Sequence, residues 1–218
     1  MLADIGTGDG RFVLATAAAN PRRLVIGIDP VADALVEASR RAAAPARKGG
    51  LPNALFVAAA AESLPAALHG VAERVTVNLP WSSLLRGALA LDEAAAAGIA
   101  CLVAPGGTAA LLLAPADRDR LAGDVSVERR LEGGCLADAW LRHGLCVVEA
   151  RPATAAEVVA TPTTWAKRLG LRGSGAPDRT AWRLVLRREP ADGGPTRGGI
   201  LRPCSVDPAR TASRRRAS

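Results

Sequence analysis

The chain has 218 residues, a formal net charge of +7, 49% hydrophobic but only 3% aromatic residues, four cysteines and two histidines. That length buries one full α/β core with some chain to spare, and with so few rings the packing must rest on leucine, valine and close helix–sheet contact. Neither a signal peptide nor a membrane span is visible, so a cytoplasmic protein without a membrane partner is expected.

A short apolar strand over residues 2–5 runs into Gly6-Thr7-Gly8-Asp9-Gly10, and an alanine-rich helix follows over 11–19, ended by Asn20-Pro21. Four residues are few for a central strand of a parallel sheet, and such a strand seldom opens a chain. The first strand is therefore read as truncated, with the natural start upstream. A second strand over 24–29 ends in Asp29, a helix covers about 31–43, and residues 45–53 form an irregular basic loop. Strands are expected at 54–58 and 74–79, then helices at 83–89 and 92–101. Pro105-Gly106-Gly107 turns the chain into a strand at 108–113, and a helix near 136–143 precedes a strand at 145–150. A short helix at 162–169 and a strand at 181–188 complete the pattern. Beyond Glu189, glycine, proline and arginine predominate without apolar periodicity, which gives a domain over 1–189 and a disordered basic tail over 190–218.

Alternating strands and helices with one late strand fit a Rossmann-like, seven-stranded α/β sheet. In such sheets a ligand lies beyond the C-terminal ends of the strands. Asp4, Asp29, Glu62 and Asn78 all fall at or just past a strand end. Trp140 and Trp182 occur in apolar periodic contexts and read as core. Cys101, Cys135, Cys146 and Cys204 show no C-x-x-C spacing; two of them sit in apolar runs and read as small buried hydrophobes, and with two histidines no metal site is expected.

The glycine turn lets backbone N–H groups approach a cofactor, and Asp29 stands where a carboxylate accepts from the two hydroxyls of a ribose. The spacing is G-x-G-x-G with Asp9 inside the loop and Asp4 before it, not the dinucleotide pattern G-x-G-x-x-G. Carboxylates packed around the turn would repel a pyrophosphate and suit a cofactor carrying an amine and a sulfonium. S-adenosylmethionine meets that demand, and NAD and ATP do not. Asp4, Gly6, Thr7, Gly8, Asp29, Glu62 and Asn78 form the expected cofactor set.

Residues 1–150 carry 14 basic and 16 acidic side chains, whereas residues 151–218 carry 14 and 5. A surplus confined to one end points to a polyanionic partner met by that end, with Arg168, Arg172, Arg179, Arg183 and Arg187 outside the tail as candidates for phosphate contacts. Two aromatics stand out. Trp81 follows the fourth strand in Asn78-Leu79-Pro80-Trp81, where a base pulled from its stack could be held flat; the alternative places it in the core. Trp165, in Thr163-Thr164-Trp165-Ala166-Lys167-Arg168, pairs an indole with two cations, the arrangement that grips RNA, against a buried helix face as the alternative.

Several blocks go further. Asp4 to Arg11, Lys48-Gly49-Gly50-Leu51-Pro52-Asn53, Ala60-Ala61-Glu62-Ser63-Leu64-Pro65, Pro80-Trp81-Ser82-Ser83-Leu84-Leu85-Arg86-Gly87 and Trp165-Ala166-Lys167-Arg168-Leu169 together resemble the small-subunit rRNA adenine-N1 methyltransferases. Members of that family methylate a decoding-site adenine in folded 30S subunits and confer aminoglycoside resistance. The resemblance covers about residues 2–188. It implies a class I S-adenosylmethionine-dependent methyltransferase sheet, with Asp29 on the cofactor ribose and the main chain at Ala60 framing its adenine. Trp81 and Trp165 would sandwich the flipped adenine, with Thr163 positioning the second indole, while Lys48, Lys167, Arg168 and Arg179 meet rRNA phosphates. The family usually has glycine where Ser82 stands, and carries an N-terminal segment ahead of the glycine turn that is not seen here. A tRNA guanine-N7 or small-molecule methyltransferase, or an inactive RNA-binding protein on the same scaffold, are the competing readings, and a monomer is expected.

Overall fold

The computed structural model describes residues 1–115, 129–130, 134–159, 161 and 180–191. The strands are β1 (Leu2–Ile5), β2 (Val25–Asp29), β3 (Ala54–Ala58), β4 (Ala72–Asn78), β5 (Val103–Leu113), β6 (Cys146–Pro152) and β7 (Trp182–Arg187). The helices among the described residues are α1 (Arg11–Ala19), α2 (Ala32–Ala42), α3 (Ser82–Ala88), α4 (Glu93–Leu102), α5 (Gly134–Arg142) and α6 (Ala155–Val159). The strands form one sheet in the order β3-β2-β1-β4-β5-β7-β6. Strands β1 to β5 are parallel, and β7 lies antiparallel between β5 and β6. The strand order reverses between β1 and β4, the point at which an open α/β sheet leaves a crevice beyond its carboxyl edge.

Alternation along each strand divides the apolar residues between two faces. Ala3, Ile5, Ile28, Val75 and Val77 join Leu85, Ile99 and Trp140 in the core beneath α3, α4 and α5. Leu2, Val25 and Ala54 pack instead with Val13, Leu14 and Ala38 from α1 and α2. The many small residues allow very close approach: at Gly98 in α4 any Cβ would run into the carbonyl of Ala61. Helix α4 is started by Asp92, whose carboxylate accepts from the N–H of Ala95 at 3.1 Å, and α6 by a capping box in which Thr154 and Glu157 exchange hydrogen bonds.

Most expected elements are present within two or three residues. Strand β5 starts at Val103, five residues before the expected 108, because Val103 pairs with Ala72 across an irregularity between Ala72 and Arg74. Pro105 and two glycines, read as a turn, lie inside that irregular stretch. Helix α6 has only five residues, too few for a helical period to be visible. Trp140 and Trp182 are core residues at 0% and 4% exposure. The cysteines need correction: Cys101 and Cys146 are only partly buried and Cys135 is exposed, Cys146 because it opens β6 at the edge of the sheet. No described helix is long and apolar enough to cross a membrane, and no group of three or more metal-ligating side chains occurs among the described residues. The expected helix at 162–169 and the tail beyond residue 191 lie outside the described residues.

Candidate active site

The chain leaves β1 at Ile5 and reverses through a turn in which Gly6, Gly8 and Gly10 all have positive φ. Gly8, at φ 58°, has no neighbour within 4 Å of where a Cβ would stand, so its backbone is open to a ligand. Gly6 lies under Leu84 of α3, which a Cβ would strike. The turn is held by Asp29: one carboxylate oxygen accepts from Gly8 N–H at 2.8 Å and the other from Val31 N–H at 2.9 Å. Each oxygen keeps a second acceptor direction for a hydroxyl. Beside it opens a cleft of about 370 Å³ lined by Ile5, Gly6, Pro30, Ala60, Glu62 and Leu84, among others.

Asp4 is 1% exposed. Its Oδ1 accepts from the Thr76 hydroxyl at 2.6 Å and from the Asn78 amide at 2.8 Å. Burial pushes its pKa up to about 6, partly offset by the neighbouring Thr76, Thr7 and Asn78, while the charge of Asp29 adds to the rise. The Thr7 hydroxyl sits beside this carboxyl without hydrogen-bond geometry, buried and unpartnered among the described residues. A buried hydroxyl without a partner costs free energy that a ligand's polar group would recover. The donor set therefore fits an adenosyl cofactor bearing an ammonium: acids where it has hydroxyls and positive charge, and no basic side chain lining the cleft to receive a phosphate.

Trp81 projects from the segment joining β4 to α3 and is 67% exposed, which excludes the reading in which it fills the core. Its flanks are strained. Leu79 has φ 51° and Ser82 φ 54°, left-handed values that side chains rarely adopt. Leu79 tolerates this because it is 2% exposed in a small core with Leu112, Ala114 and Val158, and its N–H donates to Leu112 at 2.7 Å. Ser83 and Leu84, two and three residues past Trp81, line the cleft, so the chain passes from Trp81 directly into its wall.

The structure thus places Gly6, Ala60 and Glu62 along one cleft with Gly8 and Asp29 bonded beside it, Trp81 two residues before its lining residue Ser83, and Asp4, Asn78 and Thr7 close to the glycine turn. It does not bring Lys48 there. That residue is exposed in a 3-10 turn over Ala46–Lys48, at the opposite end of the strands. Thr163, Trp165, Lys167, Arg168 and Arg179 lie outside the described residues. Sequence reasoning missed Thr76, although it stands two residues before Asn78 and so shares its sheet face. It also missed an ion-pair lattice at the far edge. Arg151 meets Glu149 at 2.6 Å and Glu157 at 2.7 Å, and Arg183 approaches the same two carboxylates at 3.3 and 3.4 Å. The hydrogen bond from Arg151 holds the Glu157 carboxyl down to about 2.

Comparison with known proteins agrees with this geometry. A family model described as 16S rRNA (adenine(1408)-N(1))-methyltransferase matches residues 1–181. The chain is 36% identical over 174 residues to the protein of that name from Streptoalloteichus hindustanus, covering 76% of this chain and 78% of the relative. It is 45% identical over 103 residues to the one from Streptoalloteichus tenebrarius, where the match spans 47% of each chain. Among solved structures it is similar to a mutant 16S rRNA (adenine(1408)-N(1))-methyltransferase with cosubstrate SAM from Catenulisporales acidiphilia, at 31% identity and TM-score 0.75, covering 91% of this chain and 88% of that one. It is also similar to the aminoglycoside resistance methyltransferase NpmB1, at 40% identity and TM-score 0.71, with 86% of each chain covered.

Proposed function

Since the chain belongs to the 16S rRNA (adenine(1408)-N(1))-methyltransferase family, we propose that it transfers a methyl group from S-adenosylmethionine to N1 of that decoding-site adenine in the 30S subunit, giving aminoglycoside resistance. The observation that carries this reading is the exposed indole of Trp81, in a backbone segment that is left-handed at Leu79 and Ser82 and that runs on into the wall of the cleft beside Asp29. The enzyme acts as a monomer in the cytoplasm, where its subunit substrate is found.

When bound, S-adenosylmethionine supplies an electrophilic methyl carbon on a sulfonium. Asp29 would receive the ribose hydroxyls and the backbone at Ala60 would border the adenine. The ionised form of Asp4 and the Thr7 hydroxyl would serve the amino acid end, with Asn78 fixing the orientation of Asp4. N1 of adenine has an in-plane lone pair and no hydrogen, so no side chain would be needed as a general base. The product base is cationic, and the aromatic face of Trp81, with the second indole that the resemblance assigns to Trp165, would favour the charge that develops. What the protein contributes is orientation and a place for the flipped base.

The test is methyl transfer from labelled S-adenosylmethionine to 30S subunits, tRNA and protein-free 16S rRNA, with the modified base mapped by primer extension. A single stop at adenine 1408 in the 30S sample is expected. Label confined to tRNA, or to any other rRNA base, would overturn the assignment.

A further inference from the structure

Helix α3 has seven residues, so it is only about 10 Å long at 1.5 Å per residue. Its front end belongs to the site: Trp81 immediately precedes it, Ser83 and Leu84 line the cleft, and Leu84 lies over Gly6. That end has no side-chain cap. Two uncapped turns of helix are marginal by themselves, so what fixes the front of α3 acts from its flank or from its rear. The flank is the close contact of Gly87 with Ala95 of α4.

At the rear, Leu91 N–H donates to the carbonyl of Arg86 at 2.7 Å and Ala90 N–H to that of Gly87 at 2.8 Å, the paired bonds of a Schellman turn. The left-handed position of such a turn is usually a glycine; here it is Ala90, at φ 51°. The carbonyls of Leu89 and Ala90 are then met by one side chain. Arg130, from the connection between β5 and α5, donates through Nε to Leu89 at 2.8 Å and through Nη2 to Ala90 at 2.9 Å. Leu89 is wholly buried, so its carbonyl depends on this partner and not on water. Burial also draws the pKa of Arg130 below the ordinary arginine value, and a guanidinium partly out of water makes stronger charged hydrogen bonds than one at the surface. Its positive charge stands at the negative end of the helix dipole.

We propose that Arg130 is a positioning residue, whose two-pronged hold on the left-handed end of α3 fixes where that helix presents Trp81 to the substrate base and Leu84 to the glycine turn. The inference rests on the methylation reading above. Arg130 acts on the reaction through α3 and not by touching donor or base. A helix of two turns transmits a shift at one end to the other, and a small misplacement of a group that orients the substrate slows the chemical step.

The experiment compares the full chain with three variants. Arg130→Met removes the donors, Arg130→Lys keeps the charge without the fork, and Arg130→Met/Ala90→Gly adds a residue that favours the left-handed turn unaided. Steady-state methylation of 30S subunits is measured together with amide hydrogen exchange. Arg130→Met should lower kcat about tenfold, with KM for 30S within about twofold of the parent. Exchange should quicken about tenfold over residues 79–91 and stay level in α1 and β2. Arg130→Lys should fall between Arg130→Met and the parent, and the double variant should regain about threefold in kcat over Arg130→Met. A raised KM with kcat level would make Arg130 an RNA contact and overturn the proposal. Faster exchange throughout the sheet, an unchanged kcat or no recovery from Ala90→Gly would also overturn it. If Arg130→Met does not fold, Arg130→Lys against the parent carries the same comparison. A parent protein that methylates no 30S preparation overturns the methylation reading, while the exchange measurements still decide whether Arg130 holds α3.

Discussion

Replacing Asp4 with asparagine should stabilise the folded chain at neutral pH while weakening its hold on the methyl donor. Asp4 is 1% exposed, and burial places its pKa at about 6 instead of 3.8. A carboxyl whose folded pKa lies above its unfolded value binds the proton more tightly when folded. Its contribution is therefore most favourable below 3.8 and is lost as the pH rises through 6. At about 1.4 kcal/mol per pH unit, the ionised group costs about 3 kcal/mol at pH 7.5 relative to the protonated one. Asparagine retains a carbonyl oxygen for the Thr76 and Asn78 donors, both of which go to Oδ1, and removes the charge. Each kcal/mol moves the melting temperature of a chain of this size by roughly 2–4 °C. The Asp4→Asn protein should thus melt about 6–12 °C above its parent at pH 7.5 and level with it near pH 4. Calorimetric scans at the two pH values check this, and an equal shift at both would refute the buried-charge argument. Titration with S-adenosylmethionine at pH 7.5 should show at least tenfold weaker binding, because a neutral amide cannot pair with the donor's ammonium. Higher stability with undiminished affinity would place Asp4 outside the donor's contacts.

Trp81→Ala and Trp165→Ala should each lower kcat/KM for 30S by roughly 5- to 150-fold, the equivalent of about 1–3 kcal/mol of stacking, with cofactor affinity by calorimetry unchanged. Ser82→Gly removes a left-handed penalty of roughly 1–2 kcal/mol at the cost of about 0.5–1 kcal/mol in chain entropy, so a rise of a few degrees in melting temperature is expected, and a fall would show that the Ser82 side chain matters. Gly8→Ala adds a methyl group that meets no protein atom but stands where the donor passes. Donor affinity should drop more than tenfold, with a stability loss of roughly 1–2 kcal/mol from the left-handed alanine alone. Gly6→Ala strikes Leu84 and should lower stability as well, which circular dichroism melts would separate.

The sheet was legible because its strands are uniform apolar runs, each punctuated by a residue that cannot continue them: Gly6 after β1, Asp29 at the end of β2, Pro80 after β4. A parallel strand buried on both faces gives such a signal with little ambiguity. The cofactor end was legible for the same reason, since its residues sit where the apolar runs stop. What escaped was pairwise geometry. That Asp29 holds the glycine turn through Gly8 follows from the pairing of β1 with β2, where Ile5 stands opposite Ile28, and that Asp4 shares one carboxylate oxygen between Thr76 and Asn78 follows from the register of β1 against β4, where Asp4 stands opposite Thr76. No spacing within one segment encodes that register. Lys48 shows the converse case. Its sequence block was recognisable, but its place at the end away from the cleft follows from the direction in which α2 returns the chain.

Three residues that violate local rules lie near one another, while Ala90, also left-handed at φ 51°, stands past the far end of α3. Asp4 is a buried carboxylate without a cationic partner among the described residues, and Leu79 and Ser82 adopt backbone conformations suited to glycine. All three border the crevice between β1 and β4. Strain of this order survives only where the surroundings over-determine it, and here they do. Leu79 is locked to Leu112, and α3 is pinned by close contact between Gly87 and Ala95 of α4, where a larger residue would not fit. A relaxed segment would let Trp81 fold back onto apolar surface, which its hydrophobic area favours. The left-handed backbone and the small-residue packing behind it thus help to keep the indole 67% exposed. The alanine- and glycine-rich composition is thus part of the active site as much as of the core.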